Sequence, residues 1–223
     1  MSQVRNETII CPHCQTESQF EIWSSVNVDI DPELKEKVLS EELFLFRCPN
    51  CGEVTGIPYG TVYHDMSHRF MLFFDFFKED DFNYEPLSIP EELMNAQMEY
   101  TFRQVFGINR LKEKIFILEQ GLNDIAIERM KYMISHIMYP EISEKGYELY
   151  FAKTEGPDEE FEHGTIYFFY RDEEKEGSYT IRQSMDSYYE NRLACELDPR
   201  LTLEGSIAQC VDEGWYSKIL KEG

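Results

Sequence analysis

No stretch of the 223-residue chain approaches the roughly 18–20 consecutive apolar residues that a bilayer-spanning helix requires. A membrane-crossing helix is therefore not expected. Basic residues are also scarce: 21 Lys and Arg stand against 43 Asp and Glu, for a formal charge of −22. Nucleic-acid binding depends on cations gathered against phosphate. In the cysteine-bearing region, residues 1–88, Arg5, Lys35, Lys37, Arg47, Arg69 and Lys78 are scattered among acids, so that function is disfavoured. A phosphate-cradling glycine loop, Gly-x-Ser-x-Gly and His-Glu-x-x-His are all missing, which removes the usual signatures of nucleotide, serine-hydrolase and metalloprotease chemistry. The segment from Met1 to Glu7 lacks the apolar run of a secretory signal, and a cytoplasmic location is expected. Internal repeats and low-complexity tracts are absent too.

What the chain does have is cysteine in a pattern. Of six cysteines, four fall in two turns, Cys11-Pro12-His13-Cys14 and Cys48-Pro49-Asn50-Cys51, the second followed at once by Gly52. Two thiol pairs in tight turns are what a tetrahedral zinc site uses, with sulfurs about 2.3 Å from the metal. Four thiolates close the coordination sphere and leave no position for substrate or activated water. A lone Cys-Pro-His-Cys also resembles the active site of a thioredoxin-fold oxidant, but that chemistry needs a helix after the motif to stabilise the thiolate. Here Phe20-Glu21-Ile22-Trp23 alternates like a strand, and Gly52 to Gly56 replaces helix formers with glycine. Zinc is the better reading, with Cys11, Cys14, Cys48 and Cys51 as ligands. Cys195 and Cys210 are single thiols expected to be buried as small apolar groups, in keeping with a reducing compartment.

The rest reads as an α+β protein: a zinc-ribbon-like β module over residues 1–88, then helices packed on a small antiparallel sheet over 89–223. Strands are predicted at Glu7–Ile10, Phe20–Val28, Leu43–Arg47, Val54–Val62 and Phe70–Phe74, with a short helix capped by Asp31. The acidic segment Lys78–Pro86 is expected to link the two halves. Leu93, Met94, Met98, Phe102, Val105 and Phe106 recur at helical spacing, as do Ile108, Leu111, Ile115 and Leu118 up to Gly121. Asn123 caps a third helix whose apolar face is Ile127, Met130, Ile134 and Ile137, closed by Pro140. From Tyr147 the period becomes two, and Thr165–Tyr170 pairs with Ser178–Arg182 across an acidic hairpin tip. Asp186–Leu197 returns to helix, and Ile207, Val211, Trp215 and Ile219 suggest a last one. His64 and His68, beside Asp65, could share a helix face and bind a second metal, but their surroundings read as a strand end and turn. His13 is expected to face solvent, and His136 to lie at the edge of the core.

The two Cys-Pro-x-Cys turns occur together with Asp31-Pro32-Glu33-Leu34-Lys35 and Tyr63-His64-Asp65. Leu111-Lys112-Glu113-Lys114-Ile115, Gly121-Leu122-Asn123-Asp124 and Ile127-Glu128 follow. In this combination the chain resembles the bacterial CpXC-domain proteins over residues 7–138. The resemblance implies a zinc-binding domain with the four knuckle cysteines as ligands, in cytoplasmic proteins without an established activity. It carries over no catalytic residue. Two functions remain open at this point. One is a non-enzymatic adaptor or regulator that binds another protein, with its acidic, aromatic-rich second half as the recognition surface. The other is an enzyme of unassigned reaction with its site in 89–223. Oligomeric state is not legible.

Overall fold

The computed structural model describes residues 1–78, 86–94, 100–172 and 177–222. The chain forms two compact units, 1–111 with 205–209, and 112–204 with 210–223. Most of the expected linker (79–85), Met98 and most of the hairpin tip (173–176) lie outside the described residues.

The first unit is built on a mixed five-stranded sheet. Its strands are β1 (Gln3–Ile10), β2 (Glu17–Asn27), β5 (Thr61–Asp65), β6 (Phe70–Asp75) and β8 (Thr101–Phe106), hydrogen-bonded in the order β1-β2-β5-β6-β8. Between β2 and β5 come the helix α1 (Glu33–Leu39) and a two-stranded ribbon, β3 (Leu45–Arg47) with β4 (Val54–Gly56). Further along, β7 (Leu87–Ser88) pairs with Ile207–Ala208, and a short helix α2 spans Glu91–Met94. Alternation decides which face is buried: Val26, Tyr63 and Leu72 lie opposite one another across neighbouring strands, and all are fully enclosed. An aromatic seam fastens the ribbon to this sheet. Phe44 meets Tyr59 at 5.0 Å and Phe74 at 5.6 Å, Phe20 meets Phe46 edge-on at 6.0 Å, and Tyr59 donates its hydroxyl to the Leu43 carbonyl at 2.8 Å.

Several expectations need correction here. Phe102, Val105 and Phe106 belong to a strand, not a helix. β6 offers an edge whose backbone groups need partners, and Thr101–Phe106 supplies them in parallel register from Phe70↔Thr101 to Asp75↔Phe106. Val54–Val62 is not one bent strand but two, in different sheets, parted near Pro58. Residues 42–44 form a single 3₁₀ turn before β3. The N-cap of α1 is Pro32 rather than Asp31, with no side-chain cap.

The second unit continues the helix α3 (Ile108–Glu119) from Lys112 onward. It adds α4 (Asp124–Met133), α5 (Pro140–Glu144), a three-stranded antiparallel sheet of β9 (Leu149–Glu155), β10 (Thr165–Asp172) and β11 (Gly177–Ser184), then α6 (Met185–Glu196) and α7 (Glu213–Glu222). The α+β class and the small antiparallel sheet match the expectation. Asn123 caps α4 through Oδ1, which accepts from Ala126 N at 2.9 Å. One sheet face, Phe151, Phe168 and Ile181, packs with Ile127, Met130 and Ile134 of α4, Tyr188 of α6 and Tyr216 of α7 into one core. Ile137 departs from its expected inward position and is 60% exposed. Residues 134–138 form a π-helical turn, which lags the 3.6-residue period and rotates Ile137 outward.

Buried charge ties this unit together. Glu113, Lys114, Asp124, Glu128 and Lys131 are each at most 5% exposed. Lys131 Nζ reaches Glu113 Oε1 at 3.1 Å and Glu128 Oε2 at 3.0 Å. Lys114 Nζ reaches Asp124 Oδ2 at 3.1 Å, Glu128 Oε1 at 3.6 Å and the Val211 carbonyl at 2.8 Å. Glu113 also accepts from the Phe151 backbone N–H at 2.7 Å. Glu113 and Glu128 share the Lys131 ammonium, and Glu128 and Asp124 share that of Lys114. Burial pushes the Glu128 carboxyl up to about 7, against the pull of Lys131 and Lys114. A carboxyl raised on folding stabilises most below its unfolded range and loses that contribution as pH climbs through the folded value. Relative to wild type, Glu128→Gln should therefore gain on the order of 3 kcal/mol between about pH 4.5 and about pH 8. Denaturant unfolding of both proteins at the two pH values checks this, and a stability gap that ignores pH contradicts it.

Candidate metal centre

Each cysteine pair sits in the loop of a β-hairpin, and the two loops are built alike. Between β1 and β2, Cys11 N–H donates to the Thr16 carbonyl at 3.0 Å and Gln15 N–H to the Cys11 carbonyl at 2.9 Å. Between β3 and β4, Cys48 N–H donates to the Glu53 carbonyl at 2.8 Å and Gly52 N–H to the Cys48 carbonyl at 2.9 Å. Proline after the first cysteine fixes one backbone angle of each turn. The residue after the second cysteine closes it in the left-handed region, φ +59° at Gln15 and +75° at Gly52.

The knuckles face one another. Cys11 Sγ lies 3.7 Å from Cys51 Sγ, and Cys14 Sγ lies 3.6 Å from Cys48 Sγ. All four sulfurs fall within 4.8 Å of one another, and all four thiols are free. A tetrahedron with metal–sulfur bonds of about 2.3 Å has sulfur–sulfur edges of about 3.8 Å, so the donors present fit a thiophilic divalent ion. Phe46 underlies the centre with buried Cys11 and Cys48, flanked by Ile9, Phe20 and Ile57, while Cys51 is exposed.

The Cys14 and Cys51 thiols are shifted in opposite directions. The Cys14 thiol is lowered to about 5, first by the Thr16 hydroxyl, then by the Asn50 side chain and the Thr16 backbone. Cys51 goes the other way, up to about 12. A hydrogen bond from the Glu53 backbone favours its thiolate, but desolvation and the neighbouring thiols outweigh it. Negative charge on one sulfur resists negative charge on the next. A divalent cation among them reverses that preference and favours thiolate at every position.

The other candidates are engaged separately. His64 lies between Asn27 Nδ2 at 3.3 Å and Tyr100 OH at 3.2 Å, and burial lowers its basicity. His68 Nδ1 meets Asp65 Oδ2 at 2.8 Å. The two imidazoles do not converge, and among the described residues the four cysteines form the one cluster suited to a metal. His13 is exposed, and His136 stacks on Tyr132 at 4.2 Å. Cys195 and Cys210 are buried, and burial pushes Cys195 up to about 11. The roles of Thr16 and Asn50 beside Cys14 escape the sequence reading, although both lie in or next to the knuckles.

The left-handed positions give a direct test. A methyl group at Gly52 would meet nothing within 4 Å, so Gly52→Ala pays for backbone geometry alone, about 1–2 kcal/mol. Gln15 already carries that strain, and Gln15→Gly trades its relief against greater unfolded-chain freedom, for a change under about 0.5 kcal/mol. Thermal melts of the metal-loaded variants measure both, and equal losses at the two positions would contradict the shared geometry.

A family model described as CpXC protein matches residues 9–131. No curated protein and no solved structure matches the chain. The matched segment covers more than half of the sequence and contains both knuckles, and the chain belongs to the CpXC protein family.

Proposed function

We propose that the protein is a non-enzymatic zinc protein of the reducing cytoplasm, in which a structural four-cysteine centre stabilises a protein-binding adaptor or regulator. The observation that carries this reading is the donor set itself. Four sulfurs within 4.8 Å satisfy a tetrahedral ion completely, with Cys11 and Cys14 from one hairpin and Cys48 and Cys51 from another. Zinc bound there would supply charge compensation and a cross-link, with no vacant position for a substrate. Cysteine selects for soft or borderline metals over magnesium or calcium. Six free thiols favour a reducing compartment. No helix among the described residues is long and apolar enough to cross a membrane. The charge of −22 argues against nucleic acid and leaves protein as the partner class it suits best.

Structural zinc contributes on the order of 10–16 kcal/mol in small domains, comparable to the roughly 5–15 kcal/mol that holds an ordinary domain together. Cys48→Ser should therefore abolish stoichiometric zinc and expose residues 7–77 to protease. Elemental analysis with limited proteolysis reads both. A metal-free variant that keeps its protease resistance would defeat the structural role.

A further inference from the structure

β1 is the outermost strand of the five-stranded sheet, and every residue of it except Ile9 is exposed. Its inner edge pairs with β2 from Gln3↔Ser25 to Ile10↔Glu17. Its outer edge meets no strand and no backbone hydrogen bond among the described residues. Antiparallel ladders alternate, so one bond fixes the direction of every backbone group along the strand. Cys11 N–H bonds to the Thr16 carbonyl, which turns Ile9, Glu7 and Arg5 toward β2. Val4, Asn6, Thr8 and Ile10 therefore point their N–H and C=O groups outward, as a template for another strand.

Exposed edges are commonly blunted by a charge that would meet its like in a second copy. β1 instead carries both signs, Arg5 and Glu7, on one face and 3.0 Å apart. The outward residues are the even-numbered ones, so a second β1 running antiparallel must be centred on a residue. Centred on Arg5, two guanidinium groups would face each other; centred on Glu7, two carboxylates would. Centres further out shorten the overlap and leave both charges without a counterpart. Centred on Asn6, each Arg5 faces the partner's Glu7 in a non-hydrogen-bonded pair, where side chains approach most closely. Asn6 then bonds to the partner's Asn6 and Val4 to the partner's Thr8, for on the order of six backbone bonds. We propose that β1 pairs antiparallel with β1 of a second copy of the chain, in the register centred on Asn6.

Charge decides the occupant. Residues 1–16 hold one Arg and one Glu, so this edge is a neutral strip in a chain of −22. A foreign strand would need an acid opposite Arg5 and a base opposite Glu7 at matching spacing, which β1 supplies to itself. Backbone bonds at an exposed edge replace bonds to water, so the association is weak and concentration-dependent. The dimer would form whatever the second unit binds.

Sedimentation velocity of the full, zinc-loaded chain from micromolar to submillimolar concentration should show a monomer–dimer equilibrium. Arg5→Glu alone, or Glu7→Arg alone, should weaken it by at least about tenfold. An equimolar mixture of these two variants should form a heterodimer, because every facing pair is then opposite in sign. The double variant, Arg5→Glu with Glu7→Arg, should regain wild-type self-association. Asn6→Pro removes an outward N–H without touching the β1–β2 ladder and should leave a monomer. The Arg5 and Glu7 side chains are 64% and 51% exposed, so the charge variants should melt with wild type. If Asn6→Pro does not fold, the charge variants decide alone. A wild type that stays monomeric, a dimer indifferent to the single reversals, or a mixture that stays monomeric overturns the proposal.

Discussion

The convergence of four sulfurs on one point is the constraint on which the first unit of this protein depends. The sequence brings them within 4.8 Å of one another through two hairpin loops with the same hydrogen-bond pattern. Thiolates at that spacing would repel one another, while Thr16 and Asn50 lower the Cys14 thiol and desolvation with the neighbouring thiols raises that of Cys51. With a divalent cation, every sulfur becomes an asset, and two chain segments more than thirty residues apart are cross-linked. The aromatic seam through Phe44, Tyr59 and Phe74 would carry that constraint into the five-stranded sheet.

The second unit settles its charge differently. Glu113, Asp124 and Glu128 are buried against Lys114 and Lys131. Buried networks of this kind add little net stability over apolar packing, but breaking one partner is costly. The network joins α3, α4, β9 and the segment before α7. All five residues fall within the segment that matches the CpXC model.

Much of this was legible in the sequence because the signals were local. The Cys-Pro-x-Cys spacing, Gly52 after the second knuckle, the Asn123 cap and the alternation around Phe168 each depend on neighbours a few residues away. The failures arise where a distant partner or an irregular turn overrides the local pattern. Phe102, Val105 and Phe106 keep helical spacing, yet the open edge of β6 recruits them as a strand. Ile137 keeps the apolar period of α4, yet a π turn rotates it out. Gln15 gives no hint of a left-handed turn, because the backbone hydrogen bonds of the loop hold that geometry without glycine. Nor does any run of charge in α3 and α4 reveal which of its members are buried.

Zinc K-edge X-ray absorption on protein purified from its native host tests the central claim most directly. The expected spectrum is that of one zinc per chain with four sulfur scatterers at about 2.3 Å and no nitrogen or oxygen in the inner sphere. Absent zinc, or a coordination sphere containing water, histidine or carboxylate in place of sulfur, would contradict it.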